Sequence, residues 1–156
     1  SIYLQNNVET QKLDSLKVFN NAFIVSKDSL SENNFNQIKG RNMFGKFFQN
    51  KLNFLSVKGN AETVYFNRNE ETKLLETITK EIASNIEFTF ADGQIESIKY
   101  LKMTEGKTYP PYEADADVRQ LKGFLWREDE RPKTKKDIFK KNKVIKVIFL
   151  NLSSIL

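Results

Sequence analysis

An apolar pattern in this chain recurs at shifts of 39 and 43 residues. That recurrence constrains the fold more than any single motif does. Shifted by 39, QKLDSLKVFNNAFIV lies over NKLNFLSVKGNAETV with seven identities, among them Leu13 with Leu52, Leu16 with Leu55, Val18 with Val57 and Asn21 with Asn60. Shifted by 43, FFQNKLNFLSV lies over FADGQIESIKY, setting Phe47 against Phe90, Leu52 against Ile95, Leu55 against Ile98 and Val57 against Tyr100. Self-similarity at such a period marks supersecondary units that stack because none buries its apolar face alone. The unit reads as strand, polar turn, strand.

Each part of the unit has a physical reason. Gln49-Asn50-Lys51 and Asp92-Gly93-Gln94 are turn chemistry, since Asn, Asp and Gly tolerate the positive φ that a tight hairpin needs. The spacing of three and then two in Leu52, Leu55 and Val57 is what a β-bulge produces. Gly59-Asn60 predicts a second bend or bulge, so the sheet is expected to be curved. Leu74, Ile78, Ile82 and Ile86 fall at helical spacing. Their β-branched neighbours and their place between two repeat strands favour a strand, and on periodicity alone the two readings stay balanced. A short helix is expected near the C-terminus, with Thr134 as N-cap for KKDIFKK after Pro132.

Thirteen Phe and five Tyr suit strands, where aromatic side chains pack well. The chain has no Cys and no His, which removes thiol nucleophiles, thiolate zinc sites, and the commonest general base and transition-metal ligand. Charge is divided unevenly. Residues 1–130 carry 17 Lys/Arg and 19 Asp/Glu, whereas residues 131–156 carry eight and one. Residues 1–130 are therefore read as the β-repeat domain and 131–156 as a basic, partly apolar tail. For that tail a solvated lysine-rich terminus is favoured over nucleic-acid binding. Its 13-residue apolar run VIKVIFLNLSSIL is too short for a bilayer, which needs about 20 apolar residues. A last strand, a sticky edge and a stretch foreign to the domain stay open for it. The chain opens inside a repeat without Met, as expected of a piece of a longer protein or of one whose leader has been removed.

Other constellations are weaker. Glu113, Asp115 and Asp117 could offer oxygen ligands to Ca²⁺, but no glycine turn or distal bidentate Glu completes a loop, so a solvated acidic segment is favoured. TYPPY, Thr108 to Tyr112, is a rigid stretch that ends the repeats. Trp126 is read as an anchor pinning the C-terminal segment over one end of the sheet. Arg127, Glu128, Asp129 and Arg131 read as a local ion-pair cluster. No metal site and no cofactor are expected.

Three runs carry a resemblance: FNQIKGRNMFGKFFQNKLNFLSVKGNAETVYF, ASNIEFTFADGQIESIKY and LKGFLWREDERPKTKKDIF. The chain resembles the OstA-like branch of the lipopolysaccharide-transport family, which includes LptA-like periplasmic proteins, over Leu13 to Phe139. The resemblance implies an all-β fold, an antiparallel β-jellyroll forming an open V-shaped stack of hairpin repeats. It implies a non-catalytic, lipid-binding module of the periplasm, associated with outer-membrane biogenesis, that shields lipopolysaccharide acyl chains in transit. The implied partners are lipopolysaccharide, through its lipid A acyl chains, and other transport proteins by edge-strand pairing. Nucleic acid is not among them. Separately, an uncapped strand edge at SIYLQNN is expected to allow self-association through residues 2–8.

Strand parity across repeat-equivalent positions gives seven candidates for an apolar inner face: Phe47, Leu55, Val57, Phe88, Phe90, Ile98 and Tyr100. Glu87, Thr89 and Lys46 should face the other way. An exposed apolar face persists where something apolar fills it, and in an ordinary sandwich the filler is protein. A closed structural β-repeat module that binds proteins by its edges is thus the main alternative. An enzyme using carboxylates on the concave face would need Asp or Glu at inward parity, where apolar residues are expected instead.

Overall fold

Long stretches of alternating side chains give six antiparallel strands within residues 1–92 and 94–128, the part of the chain that the computed structural model describes. They are β1 (Ile2–Asn6), β2 (Leu13–Lys27), β3 (Phe35–Phe48), β4 (Lys51–Arg68), β5 (Leu75–Ala91) and β6 (Gln94–Tyr109). Each pairs with its sequence neighbour, so the sheet runs in order from β1 to β6. A four-residue helix, α1 (Ala116–Arg119), follows. The fold is all-β and jellyroll-like, built from successive hairpins. The segment balanced between helix and strand lies almost wholly in β5. The helix expected after Thr134 lies outside the described residues.

The hairpin turns follow their residues. Phe48 pairs with Lys51, leaving Gln49 (φ 50°) and Asn50 (φ 64°) as a two-residue loop. Two consecutive positive φ values are the geometry that matches the twist of the flanking strands. Asp92 (φ 50°) begins the corresponding loop between Ala91 and Gln94. The expected bulge is present: Leu52 pairs with Phe47 and Phe54 with Lys46, so Asn53 is the extra residue. The same bulge occurs three more times just after a turn, with Asp14 extra between Leu13 and Ser15, Glu76 between Leu75 and Thr77, and Glu96 between Ile95 and Ser97. Four polar residues occupy the four unpaired sites.

A second irregularity crosses the sheet halfway along the strands. Asn20 (φ 64°) and Asn21 (φ 62°) in β2, Gly59 (φ 80°) and Asn60 (φ 50°) in β4, and Lys102 (φ 53°) in β6 all lie in the left-handed region. Pairing shifts register at the same level in β2–β3, β3–β4 and β4–β5, and again between Ile82 and Ala83 in β5–β6. The sheet therefore bends along a crease into two legs. Ala22, Gly40, Ala61 and Ala83 line the crease, and the three alanines are fully buried. Small side chains are required there: a β-carbon on Gly40 would stand 2.5 Å from Val57 Cγ1.

Bending separates the apolar residues into two clusters. The larger lies on the concave face and joins both legs, with Leu16, Val18, Leu55, Val57, Ile86 and Phe88 from one and Ile24 and Ile38 from the other. The smaller lies on the convex face of the second leg. There Val25, Phe35, Val64, Phe66 and Ile78 are covered by Ala114, Val118 and Leu121 from the segment after β6. Pro110 and Pro111 end the strand, as expected of TYPPY. Trp126 anchors the covering segment, its ring 5.0 Å from that of Phe35.

Candidate functional site

The concave face holds a cavity of about 290 Å³ at the meeting of the two legs. Its walls come from opposite sides of the crease. Phe88, Ile95, Ile98 and Tyr100 belong to the first leg, and Ile38, Thr63, Tyr65, Asn67, Thr79 and Glu81 to the second. Alternation brings them together, because Thr79 and Glu81 share inward parity and the crease then turns β5 so that Ile86 and Phe88 face them. The cavity is thus apolar at one end and polar at the other.

Hydrogen bonds organise the polar end. The Tyr100 hydroxyl donates to Glu81 Oε2 across the cavity. Thr63 Oγ1 donates to the same oxygen at 3.4 Å. Asn67 Nδ2 donates to both Thr77 Oγ1 (3.0 Å) and Thr79 Oγ1 (2.9 Å), and Thr79 Oγ1 shares a hydrogen bond with Thr108 Oγ1 at 3.1 Å. Burial and then the Glu81 carboxylate push the Tyr100 phenol far above its ordinary range. Tyr65 is pushed up by burial alone. Both phenols remain protonated donors at neutral pH.

All seven sequence-derived candidates lie on the concave face, in three environments. Leu55, Val57, Phe88 and Phe90 are buried in the core, at 0–4% exposure. Phe47 and Tyr100 pack against that core and are half-buried. Ile98 is 40% exposed. Phe88, Ile98 and Tyr100 line the cavity, whereas Leu55, Val57, Phe90 and Phe47 do not. The parity contrast is as expected: Phe88 and Phe90 face inward, and half-buried Glu87 and Thr89 stand on the opposite face. Lys46 is exposed.

One expectation needs correction. Inward parity in β5 is not wholly apolar, because Glu81 occupies it beyond the crease. Sequence parity missed the polar end of the cavity because it follows one leg at a time, and the second leg's inward residues Thr77, Thr79 and Glu81 lie in the segment where helix and strand were balanced. Glu81 is the cavity's single carboxylate among the described residues.

The remaining motifs settle into structural places. Asp115 caps α1, its carboxylate accepting from Val118 N at 3.0 Å, and Glu113 and Asp117 are solvent-exposed. Among the described residues no cluster of His, Cys, Asp or Glu could hold a metal ion, and no helix is long and apolar enough to cross a membrane. Trp126 Nε1 donates to Glu128 Oε2 at 2.7 Å; the rest of the expected ion-pair cluster, Asp129 and Arg131, and the basic tail lie outside the described residues. No family model matches the chain, and neither a curated protein nor a solved structure matches it.

Proposed function

We propose that the chain is a non-catalytic lipid-binding module that holds acyl chains on its concave face. The carrying observation is the cavity between the legs, where Ile38, Phe88, Ile95 and Ile98 present apolar surface that the sheet itself does not fill. Apolar surface removed from water stabilises by about 25 cal/mol per Å², so an acyl chain gains by entering. The lipid class is lipopolysaccharide and the place of action the periplasm, next to the outer membrane. Both follow from the resemblance of the FNQIKG, ADGQIESIKY and GFLWRED runs to OstA-like transport proteins. Transport partners of the same construction would join by edge-strand pairing, since among the described residues β1 and β6 are unpaired on their outer sides.

A photo-crosslinking side chain at Ile98 or Tyr100 should capture lipopolysaccharide, and one at Glu87 or Thr89 should not. Adducts at both parities would indicate nonspecific adhesion. None at either, in folded protein, would remove the lipid reading. It would favour a structural interaction module, the reading that the fully buried Leu55, Val57 and Ile86 support.

A further inference from the structure

The two ends of the cavity differ in hydrogen-bonding character, and the difference restricts what can enter. At the polar end most donors are engaged within the protein, although the Tyr65 hydroxyl makes no hydrogen bond among the described residues. Both hydrogens of Asn67 Nδ2 go to threonine hydroxyls, and the Tyr100 hydroxyl goes to Glu81 Oε2. The acceptors are not all used. Glu81 Oε2 takes the bonds from Tyr100 and Thr63, while Oε1 takes none from the described residues. Among those residues no lysine or arginine lies within 4 Å of Glu81, the ion pairs being Lys39–Glu62 and Arg68–Asp28. The cavity therefore combines an apolar wall with a carboxylate that no described lysine or arginine pairs within 4 Å. Its 290 Å³ sits near the small end of ligand pockets, which run from about 300 to 1,000 Å³, and suits one chain segment with its polar attachment.

We infer that this cavity selects an acyl chain whose polar end is a hydrogen-bond donor, a hydroxyl or an amide N–H, and rejects a free carboxylate, with Glu81 as the discriminating residue. The inference rests on the proposed acyl-chain site. A donor reaching Glu81 makes a charge-assisted hydrogen bond, stronger than a neutral one. A ligand carboxylate in the same place brings two like charges together in a partly desolvated site. The Tyr100 phenol, kept protonated by burial and by Glu81 itself, holds the carboxylate in place without neutralising it.

The test uses octanol, octanamide and octanoate as displacers of the neutral fluorophore N-phenyl-1-naphthylamine, at a pH where octanoate is ionised. The alcohol and the amide should displace it at roughly tenfold lower concentration than octanoate. In Glu81→Gln, which keeps the shape and removes the charge, the gap should close to about threefold, because octanoate binds better. Tyr100→Phe provides a second arm should the first variant fold poorly: it withdraws a donor from Glu81, so the gap should widen. An unchanged gap in folded Glu81→Gln, or in Tyr100→Phe, overturns the inference while leaving the acyl site standing. Equal displacement by all three compounds in the wild type does the same. If none of them displaces the fluorophore, the acyl site and this inference fall together.

Discussion

Tyr100 and Gln37 show how single residues tie this sheet together. Tyr100 links the legs through Glu81, and its phenol is raised above the ordinary value of 10.0. A phenol raised on folding favours the protonated native state, so its contribution is complete below the unfolded value and is lost as pH rises through the folded one. Stability measured by urea unfolding should therefore fall above about pH 10. Tyr100→Phe should make that fall shallower, and Tyr65, also raised, should account for part of what remains. Gln37, 1% exposed, does the equivalent work on the convex face. Its Nε2 donates to the Phe35 and Arg119 carbonyls at 3.0 and 2.7 Å, and its Oε1 accepts from Leu121 N at 2.8 Å. Gln37→Leu fills the space but leaves the Leu121 N–H and the Arg119 carbonyl without that partner, and should cost roughly 2–4 kcal/mol. The single tryptophan, Trp126, rides on the same segment, so its fluorescence should shift red as the segment loosens.

Strand anatomy was the most legible level in the sequence. The extra residues Asp14, Asn53, Glu76 and Glu96 are visible as a spacing of three between apolar residues, because a bulge leaves its own trace in the alternation. Asn20-Asn21 and Gly59-Asn60 mark the crease for the same reason: few residue types accept left-handed φ. The segment after β6 was less legible. A helix of four residues, Ala116–Arg119, cannot display a 3.6-residue period, and nothing in Gln37 announces a partner 82 residues away. A further repeat went unread. Asn7–Lys12 and Asn69–Leu74 form the same turn, each with an Asn side chain accepting two backbone N–H groups and a closing N–H to carbonyl bond of 2.8 or 2.9 Å. Its signal, Asn-x-Glu-Thr, is short and polar and so invisible to an apolar pattern. Deletions test the bulge argument directly. Without Asn53, the residues Leu52, Phe54 and Leu55 alternate regularly and the pairing of Phe47 with Leu52 runs on into that of Lys46 with Phe54. The cost should be about 1–2 kcal/mol, chiefly the bulge's local fit and the bond from Asn53 Nδ2 to the Phe90 carbonyl. Deleting Ser56 instead reverses the faces of everything after it, sending Val57 and Ala61 outward. That variant should show no cooperative urea transition.

At the scale of the whole molecule, the sheet is open at both edges among the described residues, and those edges decide how it meets other sheets. β1 is five residues long and covers β2 only as far as Val18 and Phe19. The Ser1 ammonium donates to the Phe19 carbonyl at 2.8 Å, and the Phe19 N–H donates back to the Ser1 carbonyl at 2.8 Å. Ser1 and Phe19 are thus a hydrogen-bonded pair. Such pairs alternate along an antiparallel ladder, so Tyr3 with Lys17 is the next, and the N–H groups of Ile2 and Leu4 point away from β2. The side chains add to the attraction, with Tyr3 58% and Leu4 48% exposed and the Tyr3 ring edge-on to Phe19. If copies of the chain associate through this edge, proline at the two positions should act differently. Leu4→Pro removes an outward donor and spares the pairing with β2, as edge prolines generally do. Tyr3→Pro removes an inward donor and detaches β1 itself. Sedimentation velocity over a range of concentrations should therefore show Leu4→Pro as a monomer with the wild-type melting temperature, against a self-associating wild type. Tyr3→Pro should melt lower, and its association does not report on the edge alone. A Leu4→Pro variant that stays folded and still associates like the wild type would show that β1 is not the contact.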